Sequence, residues 1–404
     1  MLRRFEDARI LMYSHDTFGL GHLRRCRTIA HSLVEDYRGL SVLIVSGATI
    51  AGAFDYRARV DFVKIPSVIK LRNGEYQSLD RHIDLQDTLS IRRSIIHHTA
   101  ETFNPDVFIV DKEPMGLRGE VEPTLQYLKE RGTKLVLGLR EVMDAPHLLD
   151  AEWKRNDIMQ KIDRYYDRIW VYGPPDFYDP LTGLDVPQGV RDKMGFMGFL
   201  QRSVPRDETR TPRPEGDYLL VTTGGGGDGA ELVHNVIDAY REDASLTCRA
   251  LIVLGPYMPA KERMKLIRKA KKVPMIEVIE FDNRMEELIA GATAVVAMGG
   301  YNTYCEILSF DKRALIVPRV VPREEQLIRA TRASELGLVD MLRPEEAEDP
   351  VRMSAALKAL LVRPLPSSSS PNLRLEGLAK ISAEVLPWIE EREATRAALK
   401  TAAS

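Results

Sequence analysis

The chain has 404 residues, too many for one ordinary core, and is 44% hydrophobic and 29% charged, which suits a globular protein of two or more domains. A formal net charge of −2 gives no dominant positive field and excludes a general nucleic-acid binder.

Cys26, Cys248 and Cys305 are scattered and fit no zinc-type spacing, so a reduced, cytoplasmic setting is expected. No apolar run approaches the length of a membrane span, and the first residues lack the pattern of a signal peptide. The expected protein is soluble, or at most peripheral at the inner face of a membrane.

Residues 8–14 (ARILMYS) read as a buried strand that runs into a glycine-containing loop, His15 to Gly21. From Leu23 onward, Ile29, Ala30, Leu33 and Val34 recur at helical spacing, so a helix follows. Arg24, Arg25 and Arg27 form the densest basic cluster and suit a solvated helix face as well as a ligand. Further strands are predicted at 41–45, 61–65, 107–111, 134–139 and 168–172, with helices at 85–103 and 120–131. Strands alternating with helices imply a parallel sheet covered on both faces.

A charged, proline-rich stretch within 198–214 reads as a linker and opens a second domain. There, strands are predicted at 218–223, 250–254, 275–279, 294–297 and 314–318, and helices at 230–240, 261–271, 285–290, 303–310 and 324–336. The run PLPSSSSP (364–371) reads as a second linker, followed by an apolar-striped helix at 373–391 and a frayed tail. The expected domains are therefore 1–200 and 201–363, with 364–404 as linker, helix and tail.

Two junctions in the second half carry anion-binding chemistry. A strand leads into Gly224, Gly225, Gly226 and Gly227 and a helix follows; another leads into Gly299 and Gly300, with Asn302 and Thr303 at the helix head. Glycines let a phosphate approach the main chain while unpaired N–H groups and the helix dipole face it. Glu306, one turn further on, is placed for its carboxylate to accept from ribose hydroxyls of the same nucleotide.

Together these pieces resemble the nucleotide-sugar-dependent glycosyltransferases of GT-B architecture, above all family 28, typified by MurG and its predicted relatives. Gly19-Leu20-Gly21-His22 is similar to the family's glycine loop ending in histidine, and Gly224 to Gly227 to the loop beside the donor phosphates. Phe281 sits where the family packs a segment against the uracil base. Gly299, Gly300, Asn302, Thr303 and Glu306 match its diphosphate and ribose motif, and Glu325-Gln326 its acidic–glutamine pair at the donor sugar. Tyr301-Asn302 stands where the family usually has Ser or Ala, so donor identity is not carried over.

The resemblance implies an α/β fold of two Rossmann-like domains facing across a cleft, with a C-terminal helix crossing back to the first. It implies metal-independent, inverting transfer from a nucleoside diphosphate sugar, UDP-linked by family precedent, with no cofactor beyond that co-substrate. The acceptor is unidentified, with a lipid-linked saccharide and a polysaccharide as candidates. The segment 65–72 (IPSVIKLR) is either an apolar, basic-rimmed face for a lipid or a buried strand end.

His22, at a helix N-terminus where the dipole disfavours its charged form, is the candidate base. His15 points to the same region and orients the loop. Asp111 ends an apolar strand and Arg140-Glu141 another; Asp111 is a candidate catalytic residue, a helix cap or the partner of Arg140. Gln326 can both donate to and accept from sugar hydroxyls. GLGHLRRC (19–26) also resembles the loop of a UDP-sugar hydrolase of the same architecture, and 2-epimerases share the fold, so hydrolysis, epimerisation and non-catalytic nucleotide-sugar binding stay open.

Overall fold

The computed structural model describes residues 3–15, 20–70, 76–79, 82–204, 216–370 and 373–403. Gly19, most of the linker before the second domain, the end of the 65–72 segment and Pro371 lie outside the described residues. The chain divides into two compact units, Met1–Leu200 with Glu376–Ser404, and Gln201–Leu375.

In the first unit, strands β1 (Arg3–Ser14), β2 (Tyr37–Ser46), β3 (Val60–Lys64), β6 (Val107–Asp111), β7 (Lys134–Arg140), β8 (Arg168–Tyr172) and β9 (Met194–Phe196) form one parallel sheet in the order β3-β2-β1-β6-β7-β8-β9. Between them β4 (Val68–Lys70) and β5 (Tyr76–Ser78) make a small antiparallel pair, so Val68 is a buried strand residue. The central strands carry continuous apolar runs, Ile10–Tyr13 in β1 and Val107–Val110 in β6, because helices such as α1 (Gly21–Asp36) and α2 (Leu85–Phe103) cover both faces; every residue of β6 is buried, Asp111 included.

The second unit repeats the design. Strands β10 (Tyr218–Thr222), β11 (Arg249–Val253), β12 (Ile276–Ile279), β13 (Ala294–Ala297), β14 (Arg313–Ile316) and β15 (Asp340–Met341) pair in parallel in the order β12-β11-β10-β13-β14-β15. Its helices include α3 (Ala230–Glu242), α4 (Ala260–Ala270), α5 (Tyr301–Ser309) and α6 (Glu325–Glu335). Both sheets reverse direction of strand addition beside their first strand, between β1 and β6 and between β10 and β13. In open α/β sheets that reversal creates a crevice at the carboxyl ends of the two strands, where ligands bind.

Two expectations for the chain's end are corrected. The serine-rich run is not a loose linker: Pro366–Ser369 form a helical turn held on the second unit, where the Ser367 amide and hydroxyl donate to the Asp311 carboxylate at 2.9 and 2.6 Å. The last helix, α7 (Gly377–Ala403), continues through the tail expected to fray and packs on the first unit. There Ile381, Val385 and Ile389 are buried, Trp388 stacks on Trp170 with centroids 6.2 Å apart, and Glu384 accepts from Trp170 Nε1 at 2.6 Å and Arg168 Nη2 at 2.8 Å.

Candidate active site

In the first unit the crevice is lined by the end of β1, the head of α1 and the end of β6. Ser14 pairs with Asp111 in the sheet register, so the loop after β1 and the Asp111 carboxylate emerge side by side. Helix α1 starts at Gly21 with Leu20 at its N-cap and no side-chain cap, placing His22 in the first turn. His22 Nδ1 lies 2.5 Å from Asp111 Oδ2. Arg25, one turn along, donates from Nε to Asp111 Oδ1 at 2.7 Å and from Nη2 to Oδ2 at 2.5 Å.

Chemistry fixes the proton positions. Burial alone would raise the Asp111 carboxyl, but the Arg25 cation and His22 outweigh it and hold it at about 2, so it is an anion that accepts. His22 is held below its ordinary value, chiefly by burial, with Asp111 opposing and Arg25 reinforcing, so it is neutral near pH 7. A neutral imidazole facing a carboxylate donates from Nδ1 and keeps its lone pair on Nε2. The 3.2 Å approach of Arg25 Nη2 to His22 Nδ1 is thus two donors converging on one oxygen. With its side chain 18% exposed, His22 is a reachable base oriented by a buried acid.

The basic cluster divides on folding, since Arg25 is only 2% exposed and is no part of a solvated face. It supplies the cation at Asp111, while Arg140 donates to the Met143 carbonyl at 3.2 Å. His15 is buried, with its ring edge-on to His22 at 5.7 Å and Nδ1 3.3 Å from Tyr13 Oη. Tyr13 Oη donates to Glu120 Oε1 at 2.5 Å, and Arg92 of α2 clamps the same carboxylate at 2.7 and 2.6 Å. Burial pushes the His15 imidazole down to about 3.

In the second unit the glycine loop follows β10 and the Gly299-Gly300 turn follows β13, so the two flank its crevice. Gly226 has φ +85°, and a Cβ there would stand 2.2 Å from the Leu254 carbonyl oxygen, which fixes glycine at that position. The loop is anchored by the Tyr257 amide, which donates to the Gly225 carbonyl at 2.9 Å. Helix α3 starts after Gly229 and α5 after Gly300, neither with a side-chain cap, and the space around the Gly224 and Gly300 Cβ positions is open.

The other expected residues distribute around these turns. Arg329 of α6, fully buried, donates to the Gly299 carbonyl at 3.0 Å. Arg319 ties the glycine loop to the acidic–glutamine pair: Nη1 donates to Asp228 at 2.8 Å, Nη2 to Glu325, and its amide to Gln326 Oε1 at 3.0 Å. Gln326 therefore uses one lone pair of its carbonyl oxygen inside the protein and retains its NH2 as a donor. Helix α5 begins two residues earlier than the sequence pattern suggests, so Asn302 lies inside its first turn and accepts from Arg202 Nη2 at 2.7 Å. Thr303 is buried beside it, Glu306 is 1% exposed one turn on, and Phe281 is half-buried just beyond β12. Arg202, Arg319 and Arg329 escape sequence reading, because an arginine's burial depends on partners far away in the chain.

A family model described as the glycosyltransferase family 28 C-terminal domain matches residues 219–384. Among solved structures, the calicheamicin glycosyltransferase CalG4 is similar over 96% of this chain and 99% of its own, at 16% identity and a TM-score of 0.62. MurG of Acinetobacter baumannii is similar over 94% and 99% (12% identity, TM-score 0.57). A UDP-glucosyltransferase from Polygonum tinctorium is similar over 96% and 98% (13% identity, TM-score 0.58). The chain has the GT-B glycosyltransferase fold. No curated protein sequence is a significant match. Among the described residues of this GT-B chain, no helix is long and apolar enough to cross a membrane.

Proposed function

We propose that this GT-B glycosyltransferase moves a sugar from a UDP-linked donor to an acceptor hydroxyl with inversion, using no metal and no cofactor beyond the donor. The observation that carries the proposal is the 2.5 Å bond between His22 and Asp111. His22 Nε2 takes the proton of the acceptor hydroxyl as its oxygen attacks the anomeric carbon; the bond to the diphosphate breaks from the opposite face, and the nucleotide leaves with the electron pair. Asp111 holds the imidazole in the productive tautomer and stabilises the imidazolium that forms. Backbone N–H groups of Gly225 and of Gly299-Gly300, together with the α3 and α5 dipoles, stabilise the leaving diphosphate. Glu306 and Phe281 serve the ribose and base, and Glu325 and Gln326 the sugar. Three free thiols suit a reducing, cytoplasmic setting.

The test is a thermal-shift screen of nucleotide sugars followed by turnover without acceptor. A UDP-sugar that raises the melting temperature and is cleaved only slowly until an acceptor is added supports transfer. Rapid release of free sugar from the donor alone assigns the dyad to hydrolysis, with water in place of the acceptor. No stabilisation by any nucleotide sugar overturns both.

A further inference from the structure

Helix α4 lies on the outside of the second unit. It faces inward through Leu266 and Ala270, both buried, and outward through Lys261, Lys265 and Arg268. With Lys272 just past the helix end, these side chains recur at i, i+4, i+7 and i+11, a straight row along one face about 16 Å long. Together with Lys269, Met264 and His234 of α3 they line an open groove of ≈ 680 Å³.

Most of this charge is not neutralised. Lys269 pairs with Asp238 at 2.6 Å and Lys265 with Glu262 at 3.7 Å, but Lys261, Arg268, Lys271 and Lys272 have no ion-pair partner among the described residues. Residues 260–272 hold seven basic side chains against one acidic, in a chain of net charge −2, so the remainder of the molecule is net negative. The positive field is felt locally: burial and then Lys269 and Lys265 push the His234 imidazole below its ordinary value, with Asp238 and Glu262 opposing. Amid these cations Met264 is 51% exposed.

We propose that this face docks the protein on an anionic phospholipid bilayer, with α4 in the headgroup plane, its cations on lipid phosphates and Met264 entering the acyl boundary. A straight row of lysine and arginine around one exposed apolar side chain fits a flat, charged surface with an apolar interior. A soluble polyanion would use the cations and leave Met264 without a role.

The experiment is co-sedimentation of the full chain with vesicles of phosphatidylcholine alone or mixed with phosphatidylglycerol. The expected result is binding to the mixed vesicles that falls with added salt, and none to phosphatidylcholine. Each cation removed weakens binding about fivefold, so Lys265→Ala/Arg268→Ala loses about 25-fold. Met264→Ser weakens binding to the mixed vesicles, the loss that a purely electrostatic attachment would not show. Both variants change exposed side chains, and an unaltered melting temperature verifies their fold. Vesicle binding that survives Lys261→Glu/Lys265→Glu/Arg268→Glu/Lys272→Glu overturns the proposal, as does binding of oligothymidylate without vesicle binding, which assigns the row to a soluble polyanion. Donor cleavage is independent of this face and unchanged in every variant.

Discussion

His22 Nδ1 and Asp111 Oδ2 meet at 2.5 Å across 89 residues of sequence, because the sheet sets the ends of β1 and β6 side by side. Removing the base without the acid should cost activity alone. His22→Ala is expected to lower turnover of a responsive UDP-sugar about 10²–10⁴-fold, with UDP affinity within a few-fold of wild type. Asp111→Asn should lose activity and also stability, by about 3–5 kcal/mol, because it strands the Arg25 cation in the interior. Steady-state kinetics and urea unfolding of both variants check this; wild-type turnover in His22→Ala would remove the base.

Two glycines should separate scaffold from ligand. Gly226→Ala forces a side chain into a left-handed backbone against the Leu254 carbonyl and is expected to destabilise by about 1–3 kcal/mol from backbone strain alone. Gly300→Ala meets no protein atom within 4 Å and has an ordinary φ of −60°, so the melting temperature should hold while UDP binding weakens about tenfold or more. Calorimetric titration with UDP decides; undiminished affinity in Gly300→Ala would place the diphosphate elsewhere.

The Arg92–Glu120 pair, with both side chains fully buried, carries no charge to solvent and depends on mutual compensation. Glu120→Gln is expected to cost about 3–5 kcal/mol, and Arg92→Met/Glu120→Leu to recover part of that loss. A double-mutant cycle in urea measures it, and additive losses would show that the two groups do not compensate one another.

Acid should unfold the protein in two overlapping stages. The His15 imidazole, lowered from 6.5 to about 3, stays neutral in the fold while the unfolded chain takes up a proton, so stability falls as pH drops from 6.5 toward 3. Asp111, at about 2 against an ordinary 3.8, contributes about 2 kcal/mol above pH 4 that disappears as pH falls toward 2. Urea midpoints from pH 7 to 3 should decline, and His15→Phe should flatten the decline above pH 4; an unchanged slope would contradict the first stage.

The parallel strands were legible because strands covered on both faces are nearly continuous apolar runs, as in Val107–Asp111. Edge strands β9 and β15, three and two residues long, carry too little pattern to be read. The glycine turns and His22 announce themselves through local chemistry. Arg25 does not: at i+3 from His22 it shares a helix face with it, but only the fold brings Asp111 to that face. The turn Pro366–Ser369 misleads in the opposite sense, since its low complexity hides the acceptor that Asp311 offers it.

Because α7 completes the unit that β1 begins, the first half made by the ribosome stays unfinished until the residues from Glu376 onward are read. The indole of Trp170 waits through more than 200 residues of synthesis for its stacking partner Trp388. The intervening unit matures inside that interval, and a nascent chain halted before residue 376 presents an uncovered apolar flank to any quality-control factor that surveys it.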